Sequence, residues 1–269
     1  MNSQFISFGN SRFHFERYGN GPSWVFCFHG YGEPASSFAV FEPYLGSEFT
    51  LIAIEAPFHG KTDWKEELLF EPAELVELMN QIMGNDQQPV MLFGYSMGGR
   101  MAMKLFELIP HRVKRMVLVA PDGLHKNKWQ WFATQTLLGN SLFNYTMLHP
   151  GWMFALLKLA ESLNLINRSV AKFVHHYLDD PLQREQLYKR WTTNRRFRPD
   201  LKKVKHLIDQ YQVPVHLLFG KHDRIIIAKR GYQFSRNMEH LIMVTELEAG
   251  HLLLQEKYAN IIAAFFVSG

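Results

Sequence analysis

The sequence has 269 residues, enough for one large α/β domain or one domain with an insertion. With 47% hydrophobic and 20% charged residues, its composition is typical of a soluble globular protein, and no apolar run is long enough to predict a membrane span. The single cysteine, Cys27, excludes a disulfide within the chain. Residues 1–10 show no secretory signal, so we expect a cytoplasmic location. No histidine or cysteine cluster has metal-site spacing, and we expect neither a metal nor a cofactor.

The charge is uneven along the chain. Residues 184–205 contain nine basic and two acidic side chains, a balance of +7, so the remainder of the chain carries −3 of the total of +4. We interpret this basic segment as a solvated helical face. Attraction of an anionic substrate or of an acidic surface is the alternative. Nucleic-acid binding is disfavoured, because no recognised nucleic-acid motif accompanies the basic residues.

Strands and helices alternate along most of the chain. A predicted hairpin is followed by six apolar runs that predict buried strands, and the segments in order are Gln4–Phe8, Arg12–Tyr18, Trp24–Phe28, Phe49–Ile54, Pro89–Phe93, Val113–Val119, Val215–Phe219 and Leu241–Thr245. Helices are predicted between and after them, at Ser36–Leu45, Pro72–Met83, Met97–Ile109, Leu201–Tyr211, Ile227–Asn237 and Gln255–Phe266. This alternation predicts a mostly parallel sheet with helices on both faces.

One block interrupts the alternation. Residues 124 to about 200 show no strand pattern, and predicted helices follow each other at Trp129–Leu138, Trp152–Leu163, Val170–Tyr177 and Gln183–Thr192. We therefore predict a core domain of residues 1–121 and 201–269, with a helical cap of residues 122–200 inserted after the sixth strand.

The segment Gly94–Gly98 has the pattern Gly-x-Ser-x-Gly between a predicted strand and a predicted helix. A serine on such a sharp corner is crowded by the residues two before and two after it, and glycine removes the side chains that would collide. The corner would leave the Ser96 hydroxyl exposed beside a helix N-terminus. The alternative is a helix-capping serine between turn glycines.

A nucleophilic serine needs a base and a group that orients the base. Reactive groups in a parallel sheet collect beyond the carboxyl ends of the strands, so we expect both partners in loops that follow strands. Asp223 and His251 each lie in such a loop, which predicts the triad Ser96, Asp223 and His251. Asp122, at another strand end, is the alternative acid, and His222 is interpreted as a loop residue.

Attack on a carbonyl creates a negative oxygen that backbone N–H groups stabilise. We expect the N–H of Met97, at the helix start, to be one donor of this oxyanion hole. The N–H of Tyr31 is predicted to be the other, because Gly30 and Gly32 let that loop turn an amide inward. His29 is interpreted as a support of the loop.

These motifs together resemble those of the α/β-hydrolase superfamily, and they are His29–Gly32, Pro57–Thr62, Gly94–Gly99, Gly220–Asp223 and Gly250–His251. The resemblance runs from about residue 12 to the end, apart from the inserted block. It implies an eight-stranded, mostly parallel sheet with a helical lid over Ser96, as in lid-bearing serine hydrolases. Two departures are Glu55, where many relatives have aspartate, and Thr62 in place of serine.

The inserted block would then be the lid. Its aromatic and aliphatic residues suit an apolar acyl or alcohol group. The candidate lining residues are Phe132, Phe143, Tyr145, Trp152, Phe154 and Trp191, and the alternative is that they pack the lid itself.

Several functions use this machinery. The first hypothesis is hydrolysis of a carboxylic ester of a small to medium, largely apolar substrate. The second uses Arg100: the run Gly94–Arg100 is similar to that of the menaquinone-pathway synthase, a lyase that makes 2-succinyl-6-hydroxy-2,4-cyclohexadiene-1-carboxylate, in which the arginine helps bind an anionic substrate. Arg100 could equally form a structural salt bridge.

Hydrolysis of a C–C bond and a non-enzymatic role as a small-molecule receptor or signalling partner remain open. For every enzyme hypothesis the expected partner is a small-molecule substrate, without nucleic acid or stable membrane insertion. The sequence leaves the oligomeric state open.

Overall fold

Eight strands form one sheet in the computed structural model, which describes residues 2–84, 86–125, 127–163 and 178–267. In chain order they are β1 Ser3–Phe8, β2 Ser11–Tyr18, β3 Ser23–Phe28, β4 Phe49–Ile54, β5 Val90–Tyr95, β6 Val113–Val119, β7 Val215–Gly220 and β8 Ile242–Leu247. Their order across the sheet is β1-β2-β4-β3-β5-β6-β7-β8. β2 pairs antiparallel with β1 and β4, and all other pairs are parallel. The predicted eight-stranded, mostly parallel sheet is confirmed.

The helices occur between the strands and in one uninterrupted block. Within the described residues they are α1 Glu42–Leu45, α2 Pro72–Ile82, α3 Met97–Phe106, α4 Lys128–Gln135, α5 Leu137–Leu148, α6 Gly151–Ser162, α7 Pro181–Thr193, α8 Leu201–Tyr211, α9 Lys229–Ser235 and α10 Glu256–Val267. Short 3₁₀ turns span Ala35–Phe41 and Pro110–Arg112. In this described part of the chain, no helix is long and apolar enough to cross a membrane.

Two helix predictions were wrong at their ends. The helix predicted over Trp129–Leu138 stops at Gln135, because the backbone of Thr136 is extended (φ −112°, ψ 144°). Thr136 caps the next helix, α5, since its hydroxyl accepts a hydrogen bond from the N–H of Gly139. Helix α3 ends at Phe106 rather than Ile109, since the following Pro110 disfavours helical backbone at the residue before it. The helix predicted at Val170–Tyr177 lies outside the described residues.

The chain forms two compact units. The first contains Met1–Glu66, Phe70–His125 and Arg196–Gly269, and the second contains Glu67–Leu69 and Lys126–Arg195. The short segment Glu67–Leu69 belongs with the second unit through the carbonyl of Leu68, which accepts a hydrogen bond from Arg195. That the second unit acts as a cap stays a prediction.

Two hydrophobic cores stabilise the first unit, one on each face of the sheet. The central strand β3 shows how they form, because its side chains alternate in direction. Phe26 and Phe28 enter one core, and Val25 and Cys27 enter the other. All four are buried, which explains the continuous apolar run in the sequence. Burial also raises the pKa of the Cys27 thiol, as expected of a structural cysteine.

A buried carboxylate, Glu55, fastens the loops after β3 and β4. Its Oε1 accepts a hydrogen bond from the N–H of Ala35 (3.0 Å), and its Oε2 accepts one from the N–H of Lys61 (2.5 Å) and lies 2.8 Å from His14 Nδ1. A Cβ on Gly60, which has φ +51°, would lie 2.0 Å from the Glu55 carboxyl carbon. The longer side chain at this position, compared with aspartate, reaches all three partners.

We predict that Glu55→Ala lowers the free energy of unfolding by about 3–5 kcal/mol, because the N–H groups of Ala35 and Lys61 lose their acceptor and the buried His14 loses its neighbouring carboxylate. Chemical denaturation measures this loss. Asp63→Ala is the control: it removes the exposed partner of Lys65 and should cost less than about 1 kcal/mol. Equal losses in the two variants would contradict the role assigned to Glu55.

A second buried polar group lies between the sheet and the last helix. His216 on β7 is 7% exposed, and its ring lies 4.8 Å from that of Phe265 on α10. Arg115 on β6 donates a hydrogen bond to the Phe265 carbonyl (2.7 Å). Burial, and secondarily the charge of Arg115, lowers the pKa of His216 from 6.5 to about 4.

This shift makes stability sensitive to acid. In the unfolded chain His216 becomes protonated below pH 6.5, whereas in the folded protein it becomes protonated only near pH 4. Stability contributed by neutral His216 is therefore complete above pH 6.5 and is lost as the pH falls toward 4, by about 3 kcal/mol. We predict that His216→Gln flattens the decline of unfolding free energy over this interval. An unchanged pH profile would contradict the prediction.

Candidate active site

The backbone at Ser96 makes a sharp corner between β5 and α3. Ser96 has φ 49° and ψ −114°, a strained conformation for a residue with a side chain. A Cβ on Gly98 would lie 1.8 Å from the carbonyl oxygen of Phe28, and one on Gly94 would lie 2.6 Å from the carbonyl oxygen of Gly98. Only glycine fits these two positions. The crowding predicted across the corner occurs between Gly94 and Gly98, whereas a side chain at Gly98 would collide with Phe28 on β3.

Backbone hydrogen bonds hold the corner in place. The N–H of Ser96 donates to the carbonyl of Val119 at the end of β6 (3.0 Å). The Ser96 carbonyl accepts from the N–H groups of Gly99 (2.9 Å) and Asp122 (2.8 Å). The strained serine is therefore fixed by two strand ends and the first turn of a helix.

The structure brings together the three residues predicted to form the triad. His251 Nε2 lies 3.1 Å from Ser96 Oγ, and His251 Nδ1 lies 2.7 Å from Asp223 Oδ2. With the proton on Nδ1, the ring donates to the carboxylate and its Nε2 can accept the proton of the serine hydroxyl. Such a chain of hydrogen bonds can activate a serine as a nucleophile.

Asp223 is held for this contact by its own loop. Its side chain is fully buried, and its Oδ1 accepts hydrogen bonds from the N–H groups of Ile225 (2.7 Å) and Ile226 (3.0 Å). The other carboxylate oxygen, Oδ2, is the one that contacts His251. The neighbouring His222 is exposed and pairs with Glu248 at 3.2 Å, in agreement with its interpretation as a loop residue.

Asp122, the alternative acid, has a different partner. Its Oδ2 lies 3.4 Å from Nη1 of Arg100, and its Oδ1 accepts a hydrogen bond from the N–H of Gly123 (2.7 Å). Arg100 is only 7% exposed. The structure therefore places Arg100, which the sequence suggested as an anion-binding residue, in an ion pair with the partly exposed Asp122 carboxylate.

The loop predicted to supply the second oxyanion donor passes close to Ser96. A Cβ on Gly30 would lie 3.5 Å from the Cβ of Ser96, so the backbone here approaches the nucleophile. His29 supports the loop, since its Nδ1–H donates to the Gly30 carbonyl (2.7 Å) and its Nε2 accepts from the N–H of Ala56 (3.1 Å). Tyr31 follows, with its ring edge-on to that of His59 at 5.9 Å.

The other predicted donor, Met97, is the first residue of α3. The first N–H groups of a helix have no acceptor within the helix, and they point along the axis away from it. The Met97 N–H is therefore available next to the nucleophile. The roles of Tyr31 and Met97 in holding an oxyanion stay predictions.

Sequence reasoning missed two residues beside the triad. Tyr95 donates from its hydroxyl to the backbone carbonyl of His251 (3.0 Å), and the two rings lie 5.6 Å apart. Burial raises the pKa of the Tyr95 phenol, and the charges of Glu33 and Asp223 add to the effect, so the hydroxyl remains a donor. The sequence signal was only its position before Ser96, which carries no information on side-chain direction.

Glu33 is the second of these residues and follows the glycine-rich loop. Its N–H donates to the carbonyl of Gly30 (3.2 Å). Partial burial raises the pKa of the Glu33 carboxyl, while a hydrogen bond with Ser37 and the charge of His251 lower it.

The predicted lining residues belong to the second unit. Phe143 on α5 packs with Tyr188 (ring centroids 5.5 Å apart) and Trp191 (5.7 Å apart), both on α7. The Phe132 carbonyl accepts a hydrogen bond from the Thr136 hydroxyl (3.0 Å), and Trp152 on α6 is exposed. Contact of these residues with a substrate stays a prediction.

In the ranges that the structure describes, no group of three or more His, Cys, Asp or Glu side chains could hold a metal ion.

A family model described as the alpha/beta hydrolase fold matches residues 23–258. The chain belongs to the alpha/beta hydrolase fold family. It is therefore an enzyme, a hydrolase of this fold, and the resemblance recognised in its motifs is confirmed. The match extends from β3 into α10 and includes Ser96, Asp223 and His251.

Three relatives illustrate the family. The chain is 24% identical over 249 residues to an uncharacterized hydrolase, YugF, of Bacillus subtilis, covering 91% of this chain and 89% of that protein. It is 28% identical over 116 residues to the pimeloyl-(acyl-carrier protein) methyl ester esterase of Salmonella newport, covering 43% of each. A thermophilic esterase of Thermogutta terrifontis shares the fold with a TM-score of 0.66 and 16% identity, over 98% of this chain and 96% of that one.

The two candidate acids can be distinguished by substitution. We predict that Asp223→Asn slows the reaction of Ser96 with a fluorophosphonate by about 10²–10⁴-fold, because His251 loses the acceptor that fixes its tautomer. Asp122→Asn, the matched control, should change that rate by less than about threefold, since Asp122 pairs with Arg100. Labelling rates followed by mass spectrometry measure both effects. A larger loss in Asp122→Asn would reverse the assignment.

Proposed function

We propose that this enzyme hydrolyses carboxylic esters through an acyl-enzyme on Ser96. The observation that carries the proposal is the unbroken series of contacts from Ser96 Oγ through His251 to the buried Asp223 carboxylate. It gives a weak nucleophile its base, and it gives the base a fixed orientation. His251, Asp223 and Ser96 come from three different loops, so this geometry is a property of the fold.

In the first half of the reaction, Ser96 Oγ attacks the ester carbonyl carbon while its proton passes to His251 Nε2. The carbonyl oxygen becomes negative, and the N–H groups of Met97 and Tyr31 are proposed to hold it. Collapse of this intermediate breaks the bond to the alcohol oxygen. The alcohol leaves with the proton from His251, and the acyl group remains on Ser96.

In the second half, a water molecule gives a proton to His251 Nε2 and attacks the acyl carbonyl. The bond to Ser96 Oγ then breaks, and the serine recovers its proton from His251. The Asp223 carboxylate stabilises the imidazolium that forms in each half. The Tyr95 hydroxyl, bound to the His251 carbonyl, is proposed to hold this residue in place as its charge changes.

The proposed substrate is a small-molecule ester with a small to medium, largely apolar acyl or alcohol group. Two relatives with esterase in their names support the ester class. The second unit supports the apolar preference as a proposed cap, since Phe132, Phe143, Trp152 and Trp191 are candidate lining residues. A cytoplasmic location is proposed from the single, buried Cys27.

The lyase alternative assigns Arg100 to the binding of an anionic substrate. Arg100 is buried, and its Nη1 lies 3.4 Å from Asp122 Oδ2, so a substrate carboxylate would compete with Asp122 for that nitrogen. The buried Nε of Arg100 has no hydrogen-bond partner among the described residues, so the lyase reaction stays the second candidate. C–C bond hydrolysis uses the same triad, and no contact of the described residues favours it.

A panel of p-nitrophenyl esters of increasing acyl length tests the proposal. Wild type should hydrolyse them, and Ser96→Ala and His251→Ala should each lower kcat/KM by at least about a thousandfold. His222→Ala is the matched control, because this exposed histidine pairs only with Glu248 among the described contacts, and it should stay within about twofold.

Three results would overturn the ester assignment. One is full ester hydrolysis by Ser96→Ala. The second is turnover of the dicarboxylate lyase substrate that disappears in Arg100→Ala, which would assign the anion-binding role to Arg100. The third is absence of fluorophosphonate labelling at Ser96 in folded wild type, which would favour a receptor instead.

A further inference from the structure

The buried side chain of Tyr95 contacts two of the loops beside the nucleophile. It precedes Ser96 in the chain and is only 1% exposed. Its hydroxyl donates to the carbonyl of His251 (3.0 Å), in the loop that carries the base. A Cβ on Gly30 would lie 3.0 Å from Cε1 and 3.1 Å from Cδ1 of the same ring. The loop of residues 29–32, which is predicted to hold the oxyanion and which we call the oxyanion loop, therefore runs directly against this ring.

The backbone around His251 is held by the Tyr95 hydroxyl. In the part of the chain that the structure describes, residues 250–252 make no backbone–backbone hydrogen bond. Burial raises the pKa of the Tyr95 phenol, whereas a hydrogen bond from the backbone of Leu253 lowers it. The phenol oxygen thus donates to the carbonyl of His251 and accepts from the backbone of Leu253. These two bonds fix the short segment that carries the base.

The contact at Gly30 leaves little room for a side chain. Gly30 is not among the glycines with positive φ, so its backbone conformation is one that alanine adopts without strain. The obstacle is the Tyr95 ring, since carbon atoms that are not bonded pack at about 3.5–4.0 Å. The ring lies in the same buried core as Phe93, and close-packed cores transmit displacements. A methyl group at Gly30 would therefore push the ring by a few tenths of an ångström.

We propose that Tyr95 is a positioning residue that couples the oxyanion loop to His251, so that these two parts of the site keep their relative position. The proposal rests on the proposed function of Ser96 as the nucleophile, and it adds a link between its two helpers. The ring of Tyr95 fixes where the oxyanion loop lies, and its hydroxyl fixes the backbone of His251. Both positions matter in one step, because the base takes a proton while negative charge develops on the substrate oxygen.

A double-mutant cycle between Gly30 and Tyr95 tests the coupling. Gly30→Ala places a methyl group against the ring, and Tyr95→Phe keeps the ring but removes its bond to His251. The measured quantity is the rate at which a fluorophosphonate labels Ser96 in the full chain, followed by mass spectrometry. This rate requires no natural substrate, so the coupling can be measured whichever reaction Ser96 catalyses.

The two backgrounds should respond differently to the added methyl group. Gly30→Ala should lower the labelling rate at least about tenfold in the wild-type background, because the displaced ring moves the backbone of His251. In the Tyr95→Phe background the same substitution should lower it less than about threefold, since the displacement no longer reaches His251. Tyr95→Phe alone should lower the rate about fivefold, the effect of one hydrogen bond. With a p-nitrophenyl ester, it should lower kcat by a similar factor and change KM less than about twofold.

Tyr258→Phe is the matched control. The Tyr258 hydroxyl also donates to a backbone carbonyl, that of Glu248 (3.0 Å), three residues before His251. Its loss should change the labelling rate less than about twofold, because it does not connect to the oxyanion loop. Circular dichroism and chemical denaturation verify that each variant is folded. The comparison of Tyr95→Phe with Tyr258→Phe stands by itself where Gly30→Ala fails to fold.

Two results would overturn the coupling. One is an equal loss from Gly30→Ala in both backgrounds, which would show that the oxyanion loop acts on Ser96 without Tyr95. The other is an unchanged labelling rate in Tyr95→Phe, which would leave Tyr95 as a core residue only. Failure of the ester assignment looks different, because wild type would then be labelled at Ser96 without hydrolysing any ester. Absence of labelling in wild type would overturn both proposals.

Discussion

The close contact between Gly98 and the end of β3 is the constraint on which the site depends. A single Cβ at Gly98 would lie 1.8 Å from the Phe28 carbonyl oxygen, so α3 can approach the sheet this closely only because that side chain is absent. The approach forces Ser96 into its strained conformation, at a cost on the order of 1–3 kcal/mol. The cost is offset by the hydrogen bonds of the Ser96 backbone with Val119, Gly99 and Asp122. Ser96 is half-buried, between the buried Tyr95 and Met97, because the sheet and the helix fix its backbone in this position.

The same region links the first strands of the chain to the loops around Ser96. The Glu55 carboxylate contacts both His14 on β2 and the N–H of Ala35. Ala35 lies a few residues beyond the loop that contains Tyr31. His29 adds a second link, because its ring joins the Gly30 carbonyl to Ala56 after β4. A hairpin at the sheet edge therefore helps to fix a loop beside the nucleophile. This explains why a buried carboxylate, costly by itself, is retained far from Ser96 in the sheet order.

The sheet and the three triad positions could be predicted because each leaves a strong mark in the sequence. Buried parallel strands produce continuous apolar runs, and the corner at Ser96 requires glycine on both sides. The ion pair of Arg100 with Asp122 and the hydrogen bond from Tyr95 to His251 depend on side-chain direction across loops, which neither spacing nor composition records. Helix ends were misplaced where one side chain decides them, as Thr136 does by capping α5. The missed features are thus single contacts, whereas the predicted ones are repeated patterns.

The second unit shows where this kind of prediction reaches its limit. In the first unit, a continuous apolar run of strand length indicates burial on both faces of a sheet, so the pattern shows where its residues pack. In α6, apolar residues occupy both a half-buried side and an exposed side of the helix, and periodicity cannot tell the two apart. Met153 and Leu157 are half-buried, whereas Leu156 and Leu159 are exposed, although all four side chains are large and apolar. Which apolar side of such a helix packs is decided by the tertiary contacts of its unit, and those contacts leave no period in the sequence.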